Sequence, residues 1–199
     1  DPLLIQVDSG GTTASFRATV TPSPSALLEF SLARQWDRYT SAGATPVGRS
    51  EERYVDWVEA SMGGGVGDQW DEKRGRTSLT ARGTFVVPGH TLVAGLDYED
   101  AEVYSAFTKR EVSRYGDTSF VRALESYEGT FHNRSPALYV QDSWRITDRF
   151  TLSPGLRWSG QYLVGASGNT DQRITDEWQP RLGFSWQFGP AGKQRLFGS

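Results

Sequence analysis

The sequence predicts an all-β protein, an antiparallel, up-and-down transmembrane β-barrel to which the chain contributes about eight strands. Three observations predict it. Apolar and polar residues alternate with a period of two along many segments, short turns and long polar connections follow each other in turn, and aromatic residues gather near both ends of the alternating segments. A period of two places successive side chains on opposite faces of a strand, whereas a helix would scatter them around its circumference.

The first half of the chain contains four alternating segments. In each of them apolar residues dominate every second position and polar residues stand between: 14–20, 28–36, 79–87 and 92–98. In the last of these, Leu92, Leu96 and Tyr98 alternate with Thr91 and Asp97. Each segment therefore predicts a strand with one apolar and one polar face.

The second half repeats the pattern at greater length. Alternation covers 138–146, 150–164 and 178–188, and residues 196–199 look like the opening of another strand. Elements of this length, about 9–11 residues or more, can cross a bilayer at a tilt. Strands of soluble proteins are nearer 5–6 residues. The alternative is a soluble β-sandwich, in which the aromatic residues would belong to the core.

Connections of two sizes alternate between these segments. The short ones are rich in turn residues and cover 21–25, 88–90, 147–149 and 189–193. The long ones are polar and contain glycine and cover roughly 40–71, 108–132 and 165–174. Outer-membrane barrels have short periplasmic turns and longer extracellular loops. We therefore expect the long connections on the outer surface and the short turns on the periplasmic side.

Composition excludes several other classes of protein. The 199 residues carry 21 Lys and Arg against 24 Asp and Glu, a formal net charge of −3, which argues against a nucleic-acid partner. The absence of Cys excludes disulfides, thiolate metal sites and cysteine nucleophiles. We find no catalytic motif and no metal-ligand spacing, so we expect neither enzymatic activity nor a cofactor.

The polar face supplies the candidate functional residues. If the strands form a wide barrel, this face lines the lumen. The candidates are charged or aromatic residues on it: Arg82, Asp97, Glu99, Tyr139, Arg157 and Arg181. The turns predict that Thr80 lies opposite Asp97, with Arg82 as a diagonal neighbour, and that Tyr139 lies opposite Arg157. These residues could form a ligand path or a purely structural ladder, and the sequence favours the ladder.

Asp142 departs from the pattern because it falls on the apolar face of its segment. The turn at 147–149 places it opposite Pro154, which cannot donate a ladder hydrogen bond. We therefore expect a bulge or a break in the ladder at this point, which turns the acid toward polar partners.

Several motifs resemble a known family of barrels. The segments Tyr139–Trp144, Gly155–Trp158 and Pro180–Trp186, with the turn Thr147–Arg149, resemble the barrel of TonB-dependent outer-membrane receptors. The hairpin from His90 to Tyr98 is similar to the preceding family hairpin. The most similar variant is the large group with an N-terminal carboxypeptidase-regulatory-like domain.

The resemblance implies a barrel of about 22 strands, plugged by an N-terminal domain and energised through TonB. Residues 1–199 would then be part of one barrel domain, with the plug, the TonB-contacting segment and the C-terminal strands outside them. Implied partners are outer-membrane lipid, the TonB complex and an extracellular solute, which the barrel binds and imports. A siderophore, glycan, peptide or cobalamin would each fit. The alternative is a small eight-stranded outer-membrane barrel with a structural or adhesive role.

Overall fold

The computed structural model describes residues 1–190 and 193–199. In these ranges the chain is almost entirely β-structure, as predicted. One short helix, α1, covers Pro46–Ser50. The strands are β1 Ile5–Ser23, β2 Ala26–Gly43, β3 Arg53–Asp56, β4 Ser61–Gly64, β5 Asp68–Val87, β6 His90–Arg114, β7 Phe120–Thr147, β8 Phe150–Val164, β9 Thr170–Phe188 and β10 Gln194–Gly198. No helix within the described ranges is long and apolar enough to cross a membrane.

Eight of the strands lie side by side in one sheet, in the order β1-β2-β5-β6-β7-β8-β9-β10. Neighbours along this path are antiparallel, which confirms the up-and-down prediction. The other two strands, β3 and β4, form a small hairpin off the path, and β3 pairs with β6 in parallel over four residues. We call residues 44–67, which contain α1, β3 and β4, the insert.

Tight turns join the strands at one end of the sheet, at the places where the sequence predicts them. Gly89 has a φ of +81°, a conformation that glycine adopts without steric cost. In the next turn, Thr147 accepts hydrogen bonds through its hydroxyl oxygen from the backbone N–H groups of Arg149 and Phe150. The predicted turn at 189–193 includes residues 191–192, which lie outside the described part of the chain.

The predicted long connections are shorter than expected, because the strands continue into them. β6 ends at Arg114 and β7 begins at Phe120, so residues 115–119 replace the predicted loop of 108–132. Likewise, 165–169 replace the predicted 165–174, and the connection between β2 and β5 is the insert. The loop boundaries were wrong because both faces of these strand ends carry polar residues. The alternation of apolar and polar residues is therefore lost at these strand ends, although the hydrogen-bonded ladder continues through them.

The apolar side chains lie on one face of the sheet and remain exposed. We call this face the apolar band, and it includes Phe16, Leu32, Leu96, Leu138, Leu156 and Leu182. A single sheet has no opposing layer to cover this face, and in the described ranges the buried hydrophobic residues are few: Val55, Val66, Ala137 and Val164. The arrangement contradicts the β-sandwich alternative. It fits a wall whose apolar face is covered by lipid.

The ladder between β7 and β8 is broken at Asp142, as predicted. Gln141 pairs with Gly155 and Trp144 pairs with Leu152, with no pairing between them. The register is the same on both sides, so this is a break rather than a bulge. The Asp142 carboxylate lies 2.6 Å from Nδ1 of His90, a partner that the sequence analysis had not identified. The polar contact explains how a carboxylate is accommodated on the apolar band.

Candidate functional site

The predicted lumen residues lie together on the face opposite the apolar band, which we call the polar wall. The predicted registers are confirmed, since Thr80 pairs with Asp97 and Tyr139 pairs with Arg157. An open concavity on this wall is lined by most of the candidates, namely Arg82, Asp97, Tyr139, Arg157 and Arg181. Glu99, the remaining candidate, lies one pleat repeat beyond Asp97 on β6.

Arg157 connects three strands of the polar wall. Its Nη1 donates to Oδ2 of Asp97 at 3.0 Å, which joins β8 to β6 across β7. Its guanidinium also lies 5.7 Å from the centre of the Tyr139 ring, a cation–π distance. Gly95 makes this packing possible, because a Cβ atom there would lie 2.4 Å from the Tyr139 hydroxyl oxygen. The glycine lets the tyrosine lie flat along the wall beside Arg157.

Arg82 and Asp97 are diagonal neighbours, as predicted, but no ion pair joins them in the described part of the chain. Arg82 is instead 3.8 Å from the Glu29 carboxylate, its direct cross-strand partner on β2. The Asp97 carboxylate forms its ion pair with Arg157. Register predicts which side chains are near each other, but the choice between neighbouring partners depends on side-chain rotamers.

Several charges on the wall are neutralised in pairs. Besides the pairs of Arg157 and Arg82, Arg76 lies 3.7 Å from Glu99. Partly exposed pairs of this kind contribute at most about 1 kcal/mol each. Arg181 makes no ion pair with any residue in the described part of the chain. The wall thus combines several ion pairs with an Arg181 side chain that lines the concavity and forms no ion pair in the described ranges.

Three aromatic rings form a row on the same face, nearer the end that carries the longer connections. Trp70, Phe107 and Tyr127 are cross-strand partners on β5, β6 and β7. The ring centres of Trp70 and Phe107 are 4.2 Å apart, and those of Phe107 and Tyr127 are 5.6 Å apart. We call this the aromatic row. Sequence reasoning missed it because each residue lies in or beside a predicted loop; the alternation of Tyr127 and Phe131 on β7 was the available signal.

The insert is fixed to the far end of β6 and β7 by ion pairs. Asp56 is only 4% exposed and accepts hydrogen bonds from the backbone N–H groups of Val58 and Glu59 and from Nη1 of Arg114. The hydrogen bond from Glu59, with those from Arg114 and Val58, lowers the pKa of Asp56 against the opposing effect of burial. The hydrogen bond from Arg122 similarly lowers the pKa of Glu52.

Metal binding has no evident site in the described ranges. No group of three or more His, Asp or Glu side chains there is arranged to hold an ion. The chemistry that the wall offers is contact with a passing molecule through ionic, hydrogen-bonding and aromatic groups.

Comparison with known proteins agrees with this architecture. A family described as "TonB dependent receptor-like, beta-barrel" matches residues 6–199, nearly the whole chain and all of its strands in the sheet. The chain belongs to this family. Membership confirms the resemblance seen in the sequence and the prediction of a partial outer-membrane barrel. The family is one of receptors and transporters rather than a class of enzymes.

A curated relative is the TonB-dependent transporter Oar of Myxococcus xanthus. It is 25% identical to this chain over 198 residues, which cover 85% of the chain and 18% of Oar. The chain therefore spans less than a fifth of the length of this relative. The comparisons do not favour the alternative of a small structural or adhesive barrel.

Proposed function

We propose that the chain forms part of the wall of an outer-membrane receptor that binds an extracellular solute and imports it. The observation that carries the proposal is the polar wall, which runs from the tight turns to the longer connections with polar, charged and aromatic groups on one continuous face. Lumen-facing residues of wide barrels have this polarity. We expect no enzymatic step, no cofactor and no nucleic-acid partner.

The longer connections lie on the outer surface in this proposal. A solute then meets the insert and the aromatic row before it reaches the concavity lined by Arg82, Asp97, Tyr139, Arg157 and Arg181. The paired charges there hold water and make weak contacts, so the wall lets a solute pass without trapping it. Arg181 offers a contact for an anionic group.

Energy for import comes from TonB in this proposal, through a plug that closes the barrel. The support is the family and the name of the relative, a TonB-dependent transporter. None of the residues 1–199 is assigned to the contact with TonB. A total of about 22 strands and the assignment of 1–199 to a single barrel domain remain part of the same proposal.

The lumen position of the wall and its dependence on TonB can be tested with one pair of variants. The segment has no native Cys, so Gln179→Cys on the polar wall and Leu182→Cys on the apolar band introduce a thiol on opposite faces of β9. Each is placed in the full-length receptor in intact cells, with or without TonB, and exposed to a membrane-impermeant sulfonated maleimide. Any native Cys elsewhere in the receptor is first replaced.

We expect labelling of Gln179→Cys that rises when TonB is present, because displacement of the plug opens the lumen. Leu182→Cys should remain unlabelled in both strains, since lipid covers it. Labelling of Leu182→Cys at the level of Gln179→Cys would refute the assignment of faces. Labelling of Gln179→Cys that does not respond to TonB would refute the plugged, TonB-driven mechanism.

A further inference from the structure

Three cations surround a tryptophan where the apolar band ends. On β2 the residues that follow Leu32 on the same face are Arg34, Trp36 and Arg38, and Lys73 of β5 is the direct cross-strand partner of Arg38. Trp36 is 48% exposed. These residues face away from the polar wall, in the direction of the membrane. They lie just beyond the apolar band, at the end of the sheet that carries the longer connections.

The protein balances the charges of this group only in part. Arg34 is 3.2 Å from Glu102, and Arg38 is 3.6 Å from Asp71. Lys73 makes no ion pair within the described ranges, and its Nζ lies 4.8 Å from the centre of the Tyr104 ring. Like charges directly opposite each other on a sheet, as Arg38 and Lys73 are, destabilise it. An anion between them would remove that repulsion.

Two glycines keep the surface beside these cations open. Gly10, opposite Arg38 on β1, has no atom within 4 Å of the position that a Cβ would take. Gly75, opposite Trp36 on β5, lets the Arg34 guanidinium lie against the strand, since a Cβ there would be 2.6 Å from Nη2. Gly10, Arg34, Trp36, Arg38, Lys73 and Gly75 line one open groove, whose lining also includes Arg74 and the acidic residues Asp37 and Glu102. A group larger than water can therefore reach the cations.

We propose that this groove binds the phosphate of an outer-leaflet lipid headgroup. Arg and Lys form charge-assisted hydrogen bonds with phosphate oxygens, and tryptophan is enriched at the level of the headgroups. The occupant is a lipid rather than the imported solute, because the groove continues the apolar band and lies on the opposite face from the lumen. The proposal rests on the membrane orientation given under the proposed function.

The test uses the full-length receptor, purified in detergent and incubated with bisphosphorylated lipid A. Retained lipid is counted by native mass spectrometry in the wild type, in the double variant Arg38→Gln/Lys73→Gln and in the variant Arg76→Gln. Arg76 is the matched control, since it lies three residues along β5 from Lys73 but faces the polar wall and does not line the groove. Heat modifiability on gels confirms that each variant is folded, and Lys73→Arg serves as a conservative variant that keeps the charge.

We expect affinity for lipid A to fall roughly tenfold in the double variant, about 1.4 kcal/mol, and to persist in Arg76→Gln and Lys73→Arg. Dephosphorylated lipid A should bind the wild type as weakly as lipid A binds the double variant. Equal retention by the wild type and the double variant would overturn the proposal, as would an equal loss in Arg76→Gln. Competition by inorganic phosphate as effective as that by lipid A would assign the groove to a free anion instead.

This result is separable from the outcome of the transport test. Lipid retention is measured on purified receptor, without TonB and without a solute. If Leu182→Cys were labelled and Gln179→Cys were not, the proposed function would fail, whatever amount of lipid the purified receptor retained. If labelling behaved as expected and lipid retention did not change in the double variant, only the lipid site would be lost.

Discussion

Leu156 and Arg157 show how the position of one residue determines its surroundings. They are adjacent on β8 and point to opposite faces, Leu156 to the apolar band, where it is 41% exposed, and Arg157 to the Asp97 carboxylate. In a soluble protein the exposed leucine would be unremarkable. Here its neighbours Val140 and Pro180 on the adjacent strands are also apolar, which indicates a surface that meets hydrocarbon.

Exchange of polarity at these two positions should have unequal effects. Leu156→Arg places a charge in lipid at a cost of roughly 2–4 kcal/mol near the bilayer midplane. Arg157→Leu removes one partly exposed ion pair, worth at most about 1 kcal/mol. In the full-length receptor, we expect Leu156→Arg to reduce the amount of heat-modifiable barrel in outer-membrane fractions, while Arg157→Leu assembles almost normally. Equal tolerance of both substitutions would contradict the assignment of the faces.

At this scale the sequence allowed some contacts to be predicted and not others. The break at Asp142 followed from local chemistry, a carboxylate on an apolar face opposite a proline. The partner of Asp97 did not follow, because Arg82 and Arg157 are both within reach and the rotamers of Tyr139 and Arg157 decide between them. A cross-strand register can be read from a turn, whereas side-chain packing over Gly95 cannot.

The insert is the element whose stability depends most clearly on ionisation. Asp56 has a folded pKa below its ordinary value, so its interactions stabilise the insert fully above the unfolded pKa of about 4. That contribution is lost as the pH falls further, through the folded pKa. Glu52 has the same direction of shift and adds to the same effect.

We therefore expect the insert to be protected equally at pH 7 and pH 5 and to loosen below about pH 4. Hydrogen exchange of residues 52–66 in the full-length receptor, corrected for intrinsic rates, would measure this. Asp56→Asn should loosen the insert already at neutral pH, because the ion pair with Arg114 is lost. Glu59→Gln, at the exposed end of the same cluster, should not. Uniform protection down to pH 3 in the wild type would disprove the account.

Strand ends were the least predictable property of the elements. Up to Tyr98, β6 has one apolar and one polar face, and the strand is evident from the sequence. Beyond it Asp100, Glu102 and Tyr104 make the formerly apolar face polar, while Val103 and Phe107 appear on the other. The change of polarity marks the place where lipid gives way to water, and it removes the signal on which sequence analysis depends. The insert was unpredictable for a related reason, since β3 and β4 are only four residues each.

For the whole molecule, the proposed orientation in the membrane rests on which end of the sheet carries the insert. Asp117 lies in the connection between β6 and β7, and Asp148 lies in the tight turn between β7 and β8, at the opposite end of the sheet. The test uses two single variants of the full-length receptor, Asp117→Cys and Asp148→Cys. In intact cells we expect an impermeant thiol reagent to label the first and not the second. After the outer membrane is permeabilised, both should react. The reverse pattern in intact cells would invert the orientation and place the insert in the periplasm.

The overall architecture was the most predictable level of all. Antiparallel strands joined by tight turns need only local chemistry and alternation, and a sheet with one exposed apolar face has few stable environments other than a bilayer. The solute could not be inferred in this way, because the aromatic row and Arg181 are compatible with many molecules.

The unequal lengths of β7 and β8 leave part of β7 without a neighbour on one side. Its ladder with β8 begins only at His132, so the backbone from Phe120 to about Glu128 presents a free edge, as far as the described ranges show. Such an edge is a template on which a strand of another copy could pair. Arg122, Glu125 and Glu128 place charges of both signs along it, which disfavours intermolecular pairing. Replacement of these charges by β-branched apolar residues would make copies of the receptor prone to associate through the unpaired part of β7, without any change in the rest of the sheet.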